Sequence, residues 1–452
     1  MTQDLPCSRP LSTVALSFHT APAKGNRSMK RLHWVFACLF VPLISAAQTI
    51  ASSSTQFDTE LRYVVYLSRH GVRSPTGKST QYNQYSLGEW PEWPVQPGYL
   101  TPHGFQLMQL FGAYDRSHLA AEGLLAPKGC SEAANITIYA DSDQRTRETG
   151  KAVAAGLMPG CDLAVQSLTE GTNDPLFHVL GDKSTPRDND RALAALAGRI
   201  GGDPNNLTLA YTEQLQSLDH VLATCGASTA STSHRTSLLS IPATLSSGSG
   251  DHLVDLKGPI NTAGTLVENL LLEYTNGMDK NDVGWGCVGR SELQSLMNLH
   301  TAATDFGQRT PEIARAQASR LLQRIGLSME QAVTRKLTAG AIGKPADRAL
   351  FLIGHDTNQE NVAGMLNLTW IVDGRRDDTP PGGAIVFELW HTRSTNSDAV
   401  RAYFTAQTLD QMRDATPLSE SQAPARVPIF IPGCSRQDMS CDFRTFLRLL
   451  SR

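Results

Sequence analysis

Arg62-Tyr63-Val64-Val65-Tyr66-Leu67 runs straight into Ser68-Arg69-His70-Gly71-Val72-Arg73-Ser74-Pro75, and this stretch organises the whole chain. Its first half is β-branched and aromatic without polar alternation, the pattern of a short strand covered on both faces. Its second half ends that strand. Gly71 suits a tight turn and Pro75 stiffens the exit, so the charged residues around them occupy a loop at the strand's carboxyl end.

The same arrangement recurs twice. Ile136 to Ala140 reads as a strand followed by the polar turn Asp141-Ser142-Asp143-Gln144, which opens a helix from about Arg145 to Leu157. Ala349 to Ile353 reads as a strand leading into Gly354-His355-Asp356, and Ala384 to Leu389 reads as a fourth. Pro102 to Tyr114 reads as a helix entered from Thr101. Strands alternating with helices predict an α/β fold, a mostly parallel sheet with helices on both faces. From Pro175 to Leu299 the pattern turns helical (Asn189 to Arg199, Leu209 to Thr224, Asn261 to Tyr274, Arg290 to Thr301), with a Ser/Thr/Gly-rich surface loop from Gly226 to Gly250. The expected organisation is an α/β domain made of 57–175 and 305–452, with a mainly α-helical cap domain, 176–304, inserted between them.

The 452 residues carry 40 Lys+Arg against 43 Asp+Glu, and 40% are hydrophobic, which is the balance of a globular chain. No apolar run reaches the ~18–20 residues of a spanning helix, and no heptad array, tandem repeat or basic block is present. Residues 1–47 read as a leader and signal peptide: basic Met29-Lys30-Arg31, an apolar stretch from Leu32 to Ile44, and small residues at Ser45-Ala46-Ala47. Cleavage after Ala47 leaves 35 basic against 42 acidic residues, a charge of −7, so an anionic substrate must be held by a local cluster. Six of the eight cysteines remain, an even number that favours disulfides in an exported chain. Cys434 with Cys441 is the first expected pair; Cys130–Cys161 and Cys225–Cys287 are the next to try.

Three strand ends thus carry Arg69-His70-Gly71-Val72-Arg73, Asp143-Gln144-Arg145 and His355-Asp356. Ligands of open α/β sheets bind at the carboxyl edge of the strands. Adjacency of the three strands is the condition for a shared site, and the sequence does not supply it. Given adjacency, three guanidinium forks and two imidazoles suit phosphoryl chemistry, because Arg matches phosphate oxygens and stays charged. A histidine nucleophile could carry the group. Asp356 is placed to protonate a leaving alkoxide. No cluster with metal spacing is visible and three arginines make a metal unnecessary, so no metal and no cofactor are expected.

Arg69-His70-Gly71-Val72-Arg73-Ser74-Pro75 resembles the RHGxRxP signature of the histidine acid phosphatases, and His355-Asp356-Thr357-Asn358 resembles their HD motif. The similarity continues through Thr101-Pro102-His103-Gly104, Asp143-Gln144-Arg145-Thr146-Arg147, Asn276-Gly277-Met278, Gly284-Trp285-Gly286 and Thr379-Pro380-Pro381-Gly382-Gly383. Within that family the chain is most similar to the bacterial periplasmic phytases. The resemblance implies a phosphohistidine intermediate on His70, phosphate binding by Arg69, Arg73, Arg145 and His355, and Asp356 as proton donor. It implies a substrate pocket that includes Thr76, Glu268 and Asn358. Two departures touch that pocket: Gly77 intervenes before Lys78, and Cys287 follows Gly-Trp-Gly where a basic residue is expected. The expected protein is a periplasmic or secreted acid phosphomonoesterase acting on phytate, with glucose-1-phosphatase or broad acid phosphatase activity as the alternative. Its partner is a small phosphate ester. Nucleic acid and, after leader removal, membrane are not expected, and the chain is expected to be a monomer.

Overall fold

Strand β1 (Thr59–Arg69) lies inside the main sheet of the computed structural model, which describes residues 58–226 and 235–451. The leader expected over 1–47 lies outside these residues. The other main strands are β2 (Ile136–Ala140), β3 (Val165–Gln166), β4 (Ala349–Gly354), β5 (Ala384–Thr392), β6 (Ser397–Ala406) and β7 (Ala425–Ile429). They are ordered β7-β6-β5-β1-β4-β2-β3. The pairs β1/β4, β4/β2 and β2/β3 are parallel, whereas β5, β6 and β7 extend the sheet as an antiparallel meander. β1 therefore joins a parallel half, whose carboxyl ends share one edge, to an antiparallel half that closes the other side.

The main helices, in chain order, are α1 (Pro102–Ala121), α2 (Gln144–Leu157), α3 (Asn189–Arg199), α4 (Thr212–Thr224), α5 (Pro259–Thr275), α6 (Arg290–Gln308), α7 (Pro311–Thr334) and α8 (Asp356–Leu366). Tyr63, Val65 and Leu67 of β1 pack on Leu321, Leu322 and Ile325 of α7 and Val362 of α8. Val64 and Tyr66 face the other way, onto Met108 and Phe111 of α1 and Val153 and Leu157 of α2. Burial on both faces is why Tyr63 to Leu67 of β1 reads as an uninterrupted apolar and aromatic run. A register shift between Leu61 and Tyr63 moves Leu61 onto the same face as Val64.

α1 begins as its sequence requires: Thr101 Oγ1 accepts from the Gly104 amide at 2.9 Å, and Pro102 opens the first turn. Gly104 is obligatory for packing, because a Cβ there would lie 2.1 Å from the Val72 carbonyl oxygen. This contact seats the loop after His70 on the start of α1.

α3 to α6 bury Leu196, Leu215, Leu218, Leu266, Leu270, Leu293 and Met297 in a cluster of their own, which Val72 and Leu107 of the sheet side also join. Of the surface loop expected over Gly226 to Gly250, 227–234 lie outside the described residues, and the described part holds a strand. Thr244–Ser247 pairs antiparallel with Val254–Lys257 as a two-stranded hairpin leading into α5. The strand escapes sequence patterning because it is short and three of its four residues are exposed and polar, only Leu245 packing on the helical cluster. The disulfides are Cys130–Cys161, Cys225–Cys287 and Cys434–Cys441, the three pairs expected. Cys287 thus ties the Gly284-Trp285-Gly286 turn to the end of α4, which accounts for the missing basic residue there. Among the described residues no helix is long and apolar enough to cross a membrane.

Candidate active site

The three charged strand ends are neighbours. Arg69 pairs with Gly354, and Ala140 and Ser68 both pair with Ile353, so β1, β2 and β4 end at one level. Backbone bonds continue the alignment past the strands: the His70 amide donates to the Gly354 carbonyl and the Asp141 amide to the Ile353 carbonyl, both at 2.9 Å. The loop after His70 is pinned from α2, where Thr149 Oγ1 accepts from the Gly71 amide at 2.9 Å. Gln359 of α8 donates to the carbonyls of Leu67 and Gly383, locking the end of β1 to the start of β5.

At this edge the guanidinium of Arg69 is fully buried. It donates to the Thr379 carbonyl at 2.7 Å, lies 3.0 Å from Asp356 Oδ2, and pairs with Glu268 Oε1. Arg73 reaches the same Glu268 oxygen at 2.9 Å. Arg145 pairs with Asp143 at 2.6 Å, and its Nη2 is 3.4 Å from His355 Nδ1. Each of the three arginines still has a buried Nε with no hydrogen-bond partner. Buried unpaired donors are uncommon and costly. Three of them at one edge fit an anion with several acceptor oxygens.

His70 is buried with its Nδ1 2.9 Å from the Gly71 carbonyl oxygen, so Nδ1 carries the proton and donates, and Nε2 presents its lone pair. Burial, reinforced by Arg145, Arg69 and Arg73, holds the imidazole pKa well below its usual value, so the ring is neutral. That is the state a nitrogen nucleophile needs. Asp356 is also displaced. Burial would raise its carboxyl, but Arg69, His300 and Arg73 outweigh it and keep it below the ordinary aspartate value. Glu268 is depressed likewise, Arg73 and Arg69 prevailing over burial.

Behind His355 lies a group that sequence reading did not single out. Asp141 Oδ2 is 2.6 Å from His355 Nε2 and 2.9 Å from His178 Nε2. These two bonds outweigh burial and keep Asp141 an anion. Asp141 therefore fixes the orientation of the His355 ring through Nε2, the nitrogen other than the one that faces Arg145. Asp141 stands in the sequence only as part of a polar turn and His178 belongs to no motif, so neither carried a signal. His300, which lines the cavity, was equally silent on its helix.

Comparison with known proteins agrees with this geometry. A family model for the histidine phosphatase superfamily (branch 2) matches residues 60–235 and 268–405. The chain belongs to that family. It is 36% identical over 433 residues to the phytase AppA of Escherichia coli (strain K12), covering 94% of this chain and 98% of that one. It is 28% identical over 424 residues to the glucose-1-phosphatase of Providencia rettgeri, covering 92% and 96%. The apo Hafnia alvei phytase superposes with a TM-score of 0.80 at 36% identity, covering 87% of this chain and 97% of that one. This histidine phosphatase is a phosphoric monoester hydrolase.

A cavity of about 410 Å³ in the phosphatase opens onto Arg73, Asp356 and Thr357 at the sheet edge, and onto His252, Asp255, Lys257, Glu268 and His300 on the hairpin and helices facing it. The pocket candidates fare differently. Glu268 reaches the arginines from α5. Exposed Thr76 lies beside Arg145, since both come within 4 Å of where a Gly98 Cβ would stand. Asn358 is buried and both ends of its amide are engaged, Oδ1 with the His355 amide and Nδ2 with the Phe177 carbonyl. Its side chain braces the HD turn rather than facing the cavity. Lys78 lines a separate recess with Ser74 and Trp93, and His103 contacts the Met412 carbonyl.

Proposed function

We propose that this phosphatase is an exported acid phosphomonoesterase that hydrolyses phytate through a phosphohistidine on His70. The observation that carries the reading is the set of three arginines with unpartnered buried Nε atoms around a neutral His70. Arg69, Arg73, Arg145 and His355 would hold the scissile phosphate, while His70 Nε2 attacks phosphorus in line with the leaving oxygen. Asp356 would give its proton to that oxygen, and Thr76 and Glu268 would border the substrate, with Asn358 bracing the turn. Neither a metal nor a cofactor has a part in this route. The protein would act as a monomer in the periplasm or outside the cell, with 176–304 as the cap domain over the site.

Phytate is favoured over a sugar phosphate by cavity size and by Lys257, His252 and His300 on the cap side, where further phosphates of the ligand would lie. A phytase from Hafnia alvei in complex with myo-inositol hexakis sulphate matches this chain with a TM-score of 0.78 at 36% identity. The acid side chains Asp255 and Glu268 on the same wall favour the second reading, a glucose-1-phosphatase, as in the Providencia rettgeri relative. Phosphate release from phytate, glucose 1-phosphate and p-nitrophenyl phosphate at about pH 5 separates the two. A kcat/KM highest for phytate is expected; preference for glucose 1-phosphate would transfer the protein to the second reading.

Glu268 supplies a further test. Its carboxylate contacts Arg69 and Arg73, the two forks a phosphate would use. A substrate dianion must displace it or lie beside it, at an electrostatic cost. Glu268→Gln is therefore expected to tighten inhibition by inorganic phosphate about tenfold, the scale of one charged hydrogen bond. An unchanged or weakened phosphate inhibition constant would show that Glu268 does not compete for the arginines.

A further inference from the structure

We propose that Asp141, Asp143, His178 and His355 form a binding site for a zinc-type divalent cation behind the phosphate site, at which the metal acts as an inhibitor. Each residue offers one ligand atom, two imidazole nitrogens and two carboxylate oxygens, and all four atoms lie within 4.8 Å of one another. Both Nε2 atoms point at the same Asp141 oxygen, from 2.6 and 2.9 Å, and His355 Nε2 is 3.7 Å from Asp143 Oδ2. A tetrahedral zinc with bonds of ~2.0–2.1 Å spaces its ligand atoms about 3.3 Å apart. The observed separations bracket that spacing, so a small retreat of the Asp141 carboxylate admits the ion in place of the two shared protons, each of which moves to the ring's Nδ1 or is released to solvent.

A second observation points the same way. Asp141 is wholly buried, yet its Oδ1 has no hydrogen-bond partner, so the carboxylate has acceptor capacity that the protein leaves unused. The wider charge balance does not repel a cation, because Asp141, Asp143, Asp356 and Glu268 stand against the guanidiniums of Arg69, Arg73 and Arg145. The donor set selects the metal. Two imidazoles favour zinc, copper or nickel, whereas magnesium and calcium prefer all-oxygen sites. A cation here takes the His355 Nε2 lone pair and draws Asp143 from Arg145. The added positive charge beside the phosphate site also slows phosphate release, so turnover falls.

The experiment titrates zinc chloride into tag-free mature protein by calorimetry, which needs no activity and so fails or succeeds apart from the phosphatase reading. One equivalent is expected to bind, undisturbed by excess magnesium. His178→Asn keeps a donor toward Asp141 but removes the imidazole ligand, and zinc affinity is expected to fall at least tenfold. In parallel, p-nitrophenyl phosphate hydrolysis, whose substrate does not sequester zinc as phytate would, should be inhibited and then restored by a chelator. The zinc concentration that halves each protein's own zinc-free rate should rise tenfold or more in His178→Asn. Equal zinc affinity in wild type and variant, or no stoichiometric binding to wild type, would overturn the site. If His178→Asn does not fold, His178→Gln is read by the same criteria.

Discussion

His70→Ala is expected to lower turnover on every phosphate monoester by on the order of 10⁴-fold, as when a nucleophile is removed from a covalent mechanism. The fold should persist, because the His70 side chain bonds only to the carbonyl of its neighbour. The anchors of this loop are backbone groups: the His70 amide on the Gly354 carbonyl, and the Gly71 amide on Thr149. In the proposed route the Nε2 lone pair forms the N–P bond while the P–O bond to the alcohol breaks and Asp356 protonates the leaving oxygen. Water then attacks phosphorus, its proton passes to Asp356, and the N–P bond breaks to release phosphate. Two measurements check this. Steady-state kinetics with a thermal melt should show lost activity in a folded variant, and rapid quenching with labelled substrate should trap phosphoprotein in wild type but not in His70→Ala. A folded variant with near wild-type turnover would rule out the covalent route.

The strands that build this site were legible because their surroundings left a mark in the sequence. β1, β2 and β4 are sandwiched between helices, so Tyr63 to Leu67 of β1, the whole of β4 and all of β2 except buried Thr137 are apolar or aromatic, and charge begins abruptly at the edge with Arg69, Asp141 and His355. Their adjacency was not legible. β1 lies between β4 and β5, whose residues are nearly 300 and more positions away, and nothing local in the chain records that pairing. Helix ends were misread in two places. α6 continues to Gln308 beyond the expected stop at Thr301, its apolar face carried on by Ala302, Ala303 and Phe306, which pack on the helical cluster. The expected helix from Leu209 to Thr224 is two, Asn205–Ala210 and Thr212–Thr224, broken at Tyr211. Glu268 could be read either as a pocket residue or as an ordinary polar position on α5. What the sequence does not record is that the fold carries α5 across to Arg69 and Arg73.

Asp356→Asn is expected to lower turnover by about 10²–10⁴-fold on alkyl phosphates, the usual contribution of a general acid, and by far less on p-nitrophenyl phosphate, whose leaving group needs no proton. Equal losses on both esters would remove Asp356 from that role. In the free site Asp356 is an anion held below the ordinary aspartate pKa by Arg69, His300 and Arg73, so at pH 5 it has no proton to give. The substrate can bring one. A phosphate monoester has a second pKa of about 6, so at pH 5 it arrives mainly as a monoanion. Three guanidiniums favour the dianion, and the dianion beside Asp356 raises the carboxyl by like-charge repulsion while it draws Arg69 away. Both effects move the proton from phosphate to Asp356 within the complex. The sign of the pH dependence follows: kcat/KM for alkyl phosphates should fall as pH rises through about 6, tracking substrate ionisation rather than the free Asp356 carboxyl. A substrate whose second phosphate pKa is lowered by an electron-withdrawing group should shift that limb down by the same amount. If the limb stays fixed across substrates, the proton comes from the enzyme instead.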